Sequence, residues 1–227
     1  LRRLALVHPI PAGHDELRRR LWRSLLACEG HFAPLQRLYP GLEARGPSSL
    51  HQQIRHDLSV LTQSDRFLSS HASDAQAQAC LVDTLERMLN AFVHQMQDEQ
   101  DVAGSYVQGL HWIALAFVEV LPDEAEAFAA FSLFITRCAP VYARATMDGL
   151  MDECLRILDR PLYEHLLDHG IFPERYAYNA LLSFTGCRKV ISQQDHLRLW
   201  DVFLAHGIHI NVLCVVAQLI HARDVLL

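Results

Sequence analysis

Apolar residues recur at helical spacing along nearly the whole chain, and no alternating run is long enough to specify a strand. That pattern confines the fold to the all-α class. Leu17, Leu21, Trp22, Leu25 and Leu26 form one stripe, with Asp15 expected as its N-cap and Gly30 as its stop. Leu50, Ile54, Leu58 and Leu61 form a second, capped by Ser48 or Ser49. Between them, FAPLQRLYPGLEARGPSS reads as a short helix and a Pro/Gly-rich loop. A long helix is expected after Ser73, with Leu81, Leu85, Met88, Leu89, Phe92 and Met96 on one side. The stretch QDEQDVAGS breaks the pattern and leads into YVQGLHWIALAFVEVL, closed by Pro122. The acidic start DEAEAF suits the positive end of the next helix dipole, and that helix is expected to run to Pro140. Further helices are expected around 147–169, 173–185, 192–205 and 210–224, with Gly170, Gly186 and Gly207 as terminators. The sum is roughly nine to eleven helices, more irregular than a four-helix bundle.

A chain of 227 residues is long enough for one large domain or two closely packed lobes. Its 51% hydrophobic and 20% charged content is globular rather than disordered. A net charge of −6 offers no basic field for nucleic acid or anionic lipid. Apolar runs such as Val212 to Ile220 are too short to span a membrane. The cysteines at 28, 80, 138, 154, 187 and 214 lie far apart, which reads as reduced, mostly buried thiols in a cytoplasmic protein. A start at Leu1, with Arg2 and Arg3 not followed by a long apolar stretch, reads as an excised or processed chain without a signal peptide.

Several chemistries find no motif. The only lysine, Lys189, follows Cys187 and Arg188 rather than a glycine cradle, so a P-loop is excluded. There is no Gly-x-Ser-x-Gly elbow. His165 and His169 share a helix face, with Glu164 and Asp168 nearby, but a third metal ligand is missing; a solvated face is expected and no metal or cofactor. Trp22, Trp112 and Trp200 sit at core spacing, and Arg18 and Asp201 are candidates for buried or half-buried structural pairs.

Three motifs fall in a recognisable order. LRRRLW holds Arg18 and Trp22, IRHDLSV holds Ile54 and Asp57, and SYVQGL holds Tyr106, Gln108 and Gly109. Together with the later LWDVFLAHG, they resemble the TBC domain, the helical module of Rab-type GTPase-activating proteins. The resemblance spans roughly residues 15–227. The second half, with ILDRPLYEHLLDHGI and LRLWDVFLAHGIHINVLCVVAQLI, is similar to one subfamily. That subfamily contains the TBC subunit of the two-component activator that restrains mitotic exit or septation signalling in fungi.

The resemblance implies a two-lobed helical domain, with lobes of roughly 1–140 and 141–227 and family helices continuing beyond this endpoint. It implies a Rab- or Ras-like small GTPase in its GTP form as partner, and a companion subunit or scaffold. It also implies a place at a spindle pole, centrosome or similar cytoskeletal structure.

In such domains the glutamine matching Gln108 orients the attacking water, and an arginine stabilises charge on the γ-phosphate. Gln108 and Tyr106 are thereby assigned to catalysis, and Asp57, Arg55, Arg66, Val60 and Gly109 to the GTPase contact. Here Val60 stands where the arginine belongs, and arginine fingers are worth about 10³–10⁵ in rate. Arg55 and Arg66 are the nearby substitutes, Arg55 on a different helix face and Arg66 in the following loop. With Val60 present, Asp57 is expected to pair with Arg55 or Arg66, or to face solvent.

A bland reading of Gln108 makes it a helix-start residue whose amide satisfies nearby backbone groups. Three functions therefore stand open: a GTPase-activating domain, a catalytically inactive TBC module that binds a GTPase or scaffold, and a structural helical domain.

Overall fold

A computed structural model describes residues 2–26, 30–64, 67–68, 74–99, 106–138, 144–177, 180–181 and 191–227. The described residues are helical, without strands. In chain order they form α1 (Arg2–Val7), α2 (Asp15–Leu26), α3 (Phe32–Glu43), α4 (His51–Thr62), α5 (Ala75–Asp98) and α6 (Leu110–Val120). Then come α7 (Glu124–Leu133), a π-helical turn (Phe134–Cys138), α8 (Arg144–Leu158), α9 (Arg160–Asp168) and α10 (Pro173–Tyr176). The last three are α11 (Gln193–His206), α12 (Ile210–His221) and α13 (Arg223–Leu226).

These boundaries correct several expectations. Asp15 lies in the first turn of α2 rather than capping it, because His14 supplies the carbonyl accepting the Arg18 N–H at 3.2 Å. Ser48 caps the turn before α4, its hydroxyl accepting the Leu50 N–H at 3.3 Å, and Leu50 occupies the cap position itself. The long α5 starts from Asp74, whose carboxylate accepts the N–H groups of Gln76 and Ala77; Ser73 lies outside the described residues. Helix α3 continues through Pro40, where the sequence reads as a loop. Burial of Tyr39 and Leu42 against the core outweighs the roughly 3 kcal/mol that an internal proline costs. The stretch expected as one helix over 147–169 breaks at Asp159, which caps α9 through the Leu162 N–H, with Pro161 in the first turn. Gly186 and Lys189 fall outside the described residues.

Two apolar cores result. The larger takes in α2 to α7 and α11, and its centre is α6. Every residue of α6 from Leu110 to Phe117 is buried, which is why its sequence is apolar on all sides except at His111. Trp22, Phe117, Phe134 and Trp200 stack there, with Trp200 5.3 Å from Phe117 and 5.1 Å from Phe134 between ring centroids. The smaller core joins α8, α9, α10 and α12 through Met151, Leu155, Leu162, Leu166, Val212 and Val215.

A buried ion pair ties α2 to α11. Arg18 Nε donates to both Asp201 oxygens at 3.2 Å, and Trp22 Nε1–H donates to Oδ1 at 2.7 Å. Arg18 also reaches the Ile10 carbonyl at 3.3 Å. Burial pushes the Asp201 carboxyl above the usual range, while Trp22 and Arg18 work against it. Asp201→Ala would strand Arg18 in the core and leave the Trp22 N–H unmatched. The expected result is a loss of about 3–5 kcal/mol, read from urea unfolding midpoints.

The cysteine expectation is corrected where it is testable. Cys80 is exposed, and Cys154 and Cys214 are half-buried free thiols. Among the described residues no helix is long and apolar enough to cross a membrane.

Candidate functional site

Helix α4 and the turn before α6 meet around one carboxylate. On α4, Ile54, Asp57, Leu58 and Leu61 face inward at helical spacing, and Val60 is 53% exposed. Asp57 is therefore neither solvent-facing nor paired with Arg55, which corrects two of the three expected alternatives, while pairing with Arg66 lies outside the described residues. Its Oδ2 accepts the Tyr106 hydroxyl at 2.9 Å, across 49 residues of sequence, and the bond is buried. This contact brings the second and third motifs together.

Arg55 turns elsewhere. Its side chain is 68% exposed and Nε lies 4.0 Å from Glu86 Oε2 on α5. Five residues of helix also place it about 140° around the axis from Val60. Arg66 lies outside the described residues.

Between Tyr106 and α6 the chain makes a tight turn. The Leu110 N–H donates to the Val107 carbonyl at 3.2 Å, and the Trp112 N–H to the Gly109 carbonyl at 3.1 Å. Gly109 has φ +109°, a conformation costly for any residue with a Cβ. Val107 and Gln108 form the exposed tip. The Gln108 carboxamide makes no hydrogen bond among the described residues, so it is not spent on capping the helix.

One polar residue of the site escaped the sequence reading. His111, in the first turn of α6, is buried at 4% exposure. Its Nδ1 lies 3.5 Å from the Tyr106 hydroxyl oxygen and 3.7 Å from Asp57 Oδ2. Burial pushes the imidazole pKa down to about 4, overriding the opposing pull of the Asp57 carboxylate, so the ring is neutral at physiological pH. Burial, together with the Asp57 charge and hydrogen bond, pushes the Tyr106 hydroxyl up, so it keeps its proton and acts as a donor. The signal was present in the sequence as a lone imidazole in an otherwise apolar helix start, LHWIAL.

Chemically, the arrangement presents a carboxamide, both donor and acceptor, on a tight turn bonded to α4. It can orient a small polar molecule or bond a partner's backbone. Away from this turn, the His165 and His169 rings stack with centroids 4.3 Å apart, and the His165 carbonyl lies 2.8 Å from His169 Nδ1. No group of three or more metal-ligating side chains gathers among the described residues.

Comparison with known proteins follows the same geometry. The Rab-GTPase-TBC domain family matches residues 15–227. The chain is 35% identical over 217 residues to a Dictyostelium discoideum protein named as the mitotic check point protein BUB2, covering 93% of this chain and 54% of that protein. It is 33% identical over 190 residues to cell division control protein 16 of Schizosaccharomyces pombe, covering 81% and 58%. The chain thus spans little more than half the length of these relatives. The crystal structure of the Chlamydomonas flagellar RabGAP TBC domain superposes with a TM-score of 0.77 at 18% identity, covering 99% of this chain and 72% of that one. The Ypt/Rab-GAP domain of Gyp1p superposes with a TM-score of 0.70 at 15% identity, covering 99% and 80%. Both establish the shared fold.

Proposed function

The chain belongs to the Rab-GTPase-TBC domain family, and from that premise we propose that it is the GTPase-contacting domain of a GTPase-activating protein. Its partner is a Rab- or Ras-like small GTPase in the GTP form. The observation that carries this reading is Gln108, exposed, without an internal partner and held on a turn anchored to α4. Its carboxamide orients the attacking water in the partner's active site, a positioning role. Tyr106 and Asp57 are buried, so they act behind the surface, and Val60 contributes apolar contact in place of a charge. The missing cation comes from Arg66 or from a companion subunit. Division into lobes of roughly 1–140 and 141–227 is part of the proposal; the smaller core falls within the second lobe, while α11 packs into the larger core.

The relatives' names, a mitotic check point protein and a cell division control protein, support a role in cell-cycle signalling, and the site we propose for it is a spindle-pole or centrosome-like structure in the cytoplasm. A second reading, a module that binds the GTP-loaded GTPase without accelerating it, is favoured by Val60 alone.

The test is single-turnover GTP hydrolysis by a panel of purified Rab- and Ras-like GTPases, with nucleotide-state-selective binding measured in parallel. Stimulation of at least one GTPase is the expected result. Binding of a GTP-loaded GTPase without stimulation, alone or with Arg added in trans by a companion subunit, would establish the binding module instead.

A further inference from the structure

We propose that His111 is a positioning residue for Gln108, acting through Tyr106 and Asp57; the catalytic part of this inference rests on the GTPase-activating reading. Tyr106 precedes Gln108 by two residues and His111 follows it by three, and both converge on the same carboxylate oxygen of α4. The three side chains are 7%, 4% and 4% exposed for Tyr106, His111 and Asp57, whereas the tip between the two loop residues projects into solvent. The turn is thus bonded to α4 through Tyr106 on one side of its tip and braced by His111 against the Tyr106 oxygen on the other. Among the described residues Gln108 makes no hydrogen bond, so its placement is inherited from Tyr106 and His111 on either side of it.

A neutral imidazole suits this arrangement. With its proton on Nδ1 it donates to the Tyr106 oxygen, whose own O–H donates to Asp57, and the two bonds polarise each other in one direction. An imidazolium would compete with Tyr106 for the carboxylate. The tilted Trp112 ring, 5.7 Å from the imidazole between centroids, packs beside it. Misplacing a water-orienting group by about 1 Å costs on the order of 10² in rate, so a loosened turn is felt in catalysis before it is felt in binding.

The test compares His111→Leu, which keeps bulk but donates nothing, with His111→Asn, whose amide nitrogen stands the same number of bonds from Cα as Nδ1. In single-turnover hydrolysis with a responding GTPase, His111→Leu is expected to lower the saturating rate roughly 10-fold to 10²-fold with little change in half-saturation. His111→Asn is expected to restore most of it. In a Tyr106→Phe background, where the relay is already cut, His111→Leu is expected to add little. Hydrogen exchange of the Val107–Leu110 amides, measured on the protein alone, is expected to quicken about 10-fold or more in His111→Leu and to stay near wild type in His111→Asn.

Unchanged exchange and an unchanged saturating rate in His111→Leu would overturn the proposal, as would equal losses in His111→Leu and His111→Asn. If wild type stimulates no GTPase, the reading of function fails, while the exchange measurement still decides whether His111 holds the Gln108 turn.

Discussion

Gln108→Ala is expected to remove nearly all stimulation of GTP hydrolysis while leaving affinity for the GTP-loaded partner close to wild type. The side chain is exposed and makes no internal hydrogen bond, so truncation leaves the turn, Gly109 and the Tyr106–Asp57 bond in place. In the proposed mechanism, what is lost is interaction made with the attacking water in the transition state. Removing a single preorganised polar group of that kind costs about 10²–10³ in rate. Gln108→Asn is an informative companion, since it keeps the amide but withdraws it by one methylene, more than the ~1 Å error that already costs about 10². The measurement is the single-turnover rate at saturating domain. Strong stimulation that survives both substitutions would remove Gln108 from the mechanism.

The second large effect is a gain. Val60→Arg is expected to raise the saturating rate by about 10³, the lower end of what an arginine finger supplies. Val60 is 53% exposed on α4, so a longer side chain can extend into solvent, and the stability change should stay within about 0.5 kcal/mol. Asp57 stands three residues earlier, the spacing at which helix side chains meet. Its Oδ2 is engaged by Tyr106, and a new guanidinium would approach the same carboxylate from the exposed side. Val60→Lys separates charge from geometry, because an ammonium lacks the planar fork and should recover far less. If Val60→Arg gains nothing while wild type is already strongly active, the cation is being supplied from elsewhere, and a scan of Arg66 and of the companion subunit locates it.

How far the sequence alone reached depended on the kind of information each feature needed. Apolar period sufficed for the helical class and for the burial of Trp22, Trp112 and Trp200, because side-chain spacing reports directly on which face is covered. The Arg18–Asp201 pair was legible because an ion pair is the ordinary way to bury two charges. Helix ends were less so. Whether α3 continues through Pro40 depends on Tyr39 and Leu42 packing against residues far along the chain, and a local window cannot weigh that. In the site, the resemblance picked out Asp57, Tyr106 and Gln108 one by one. It did not reveal that Asp57 serves the turn, because that follows from a bond across 49 residues. His111 was passed over for a related reason: only the fold shows that its ring turns back toward α4.

The pair that locks α2 to α11 also sets a timetable. Arg18 and Asp201 are 183 residues apart. At a synthesis rate of about 5–20 residues per second, roughly 10–35 s separate the emergence of one partner from the other. Until then the Trp22 face and the Phe117–Phe134 aromatics lack the Trp200 lid that closes over them. Through that interval a nascent chain carries its largest apolar surface uncovered and a lone guanidinium at its edge. Chaperone contact in that interval should centre on α2 and α6.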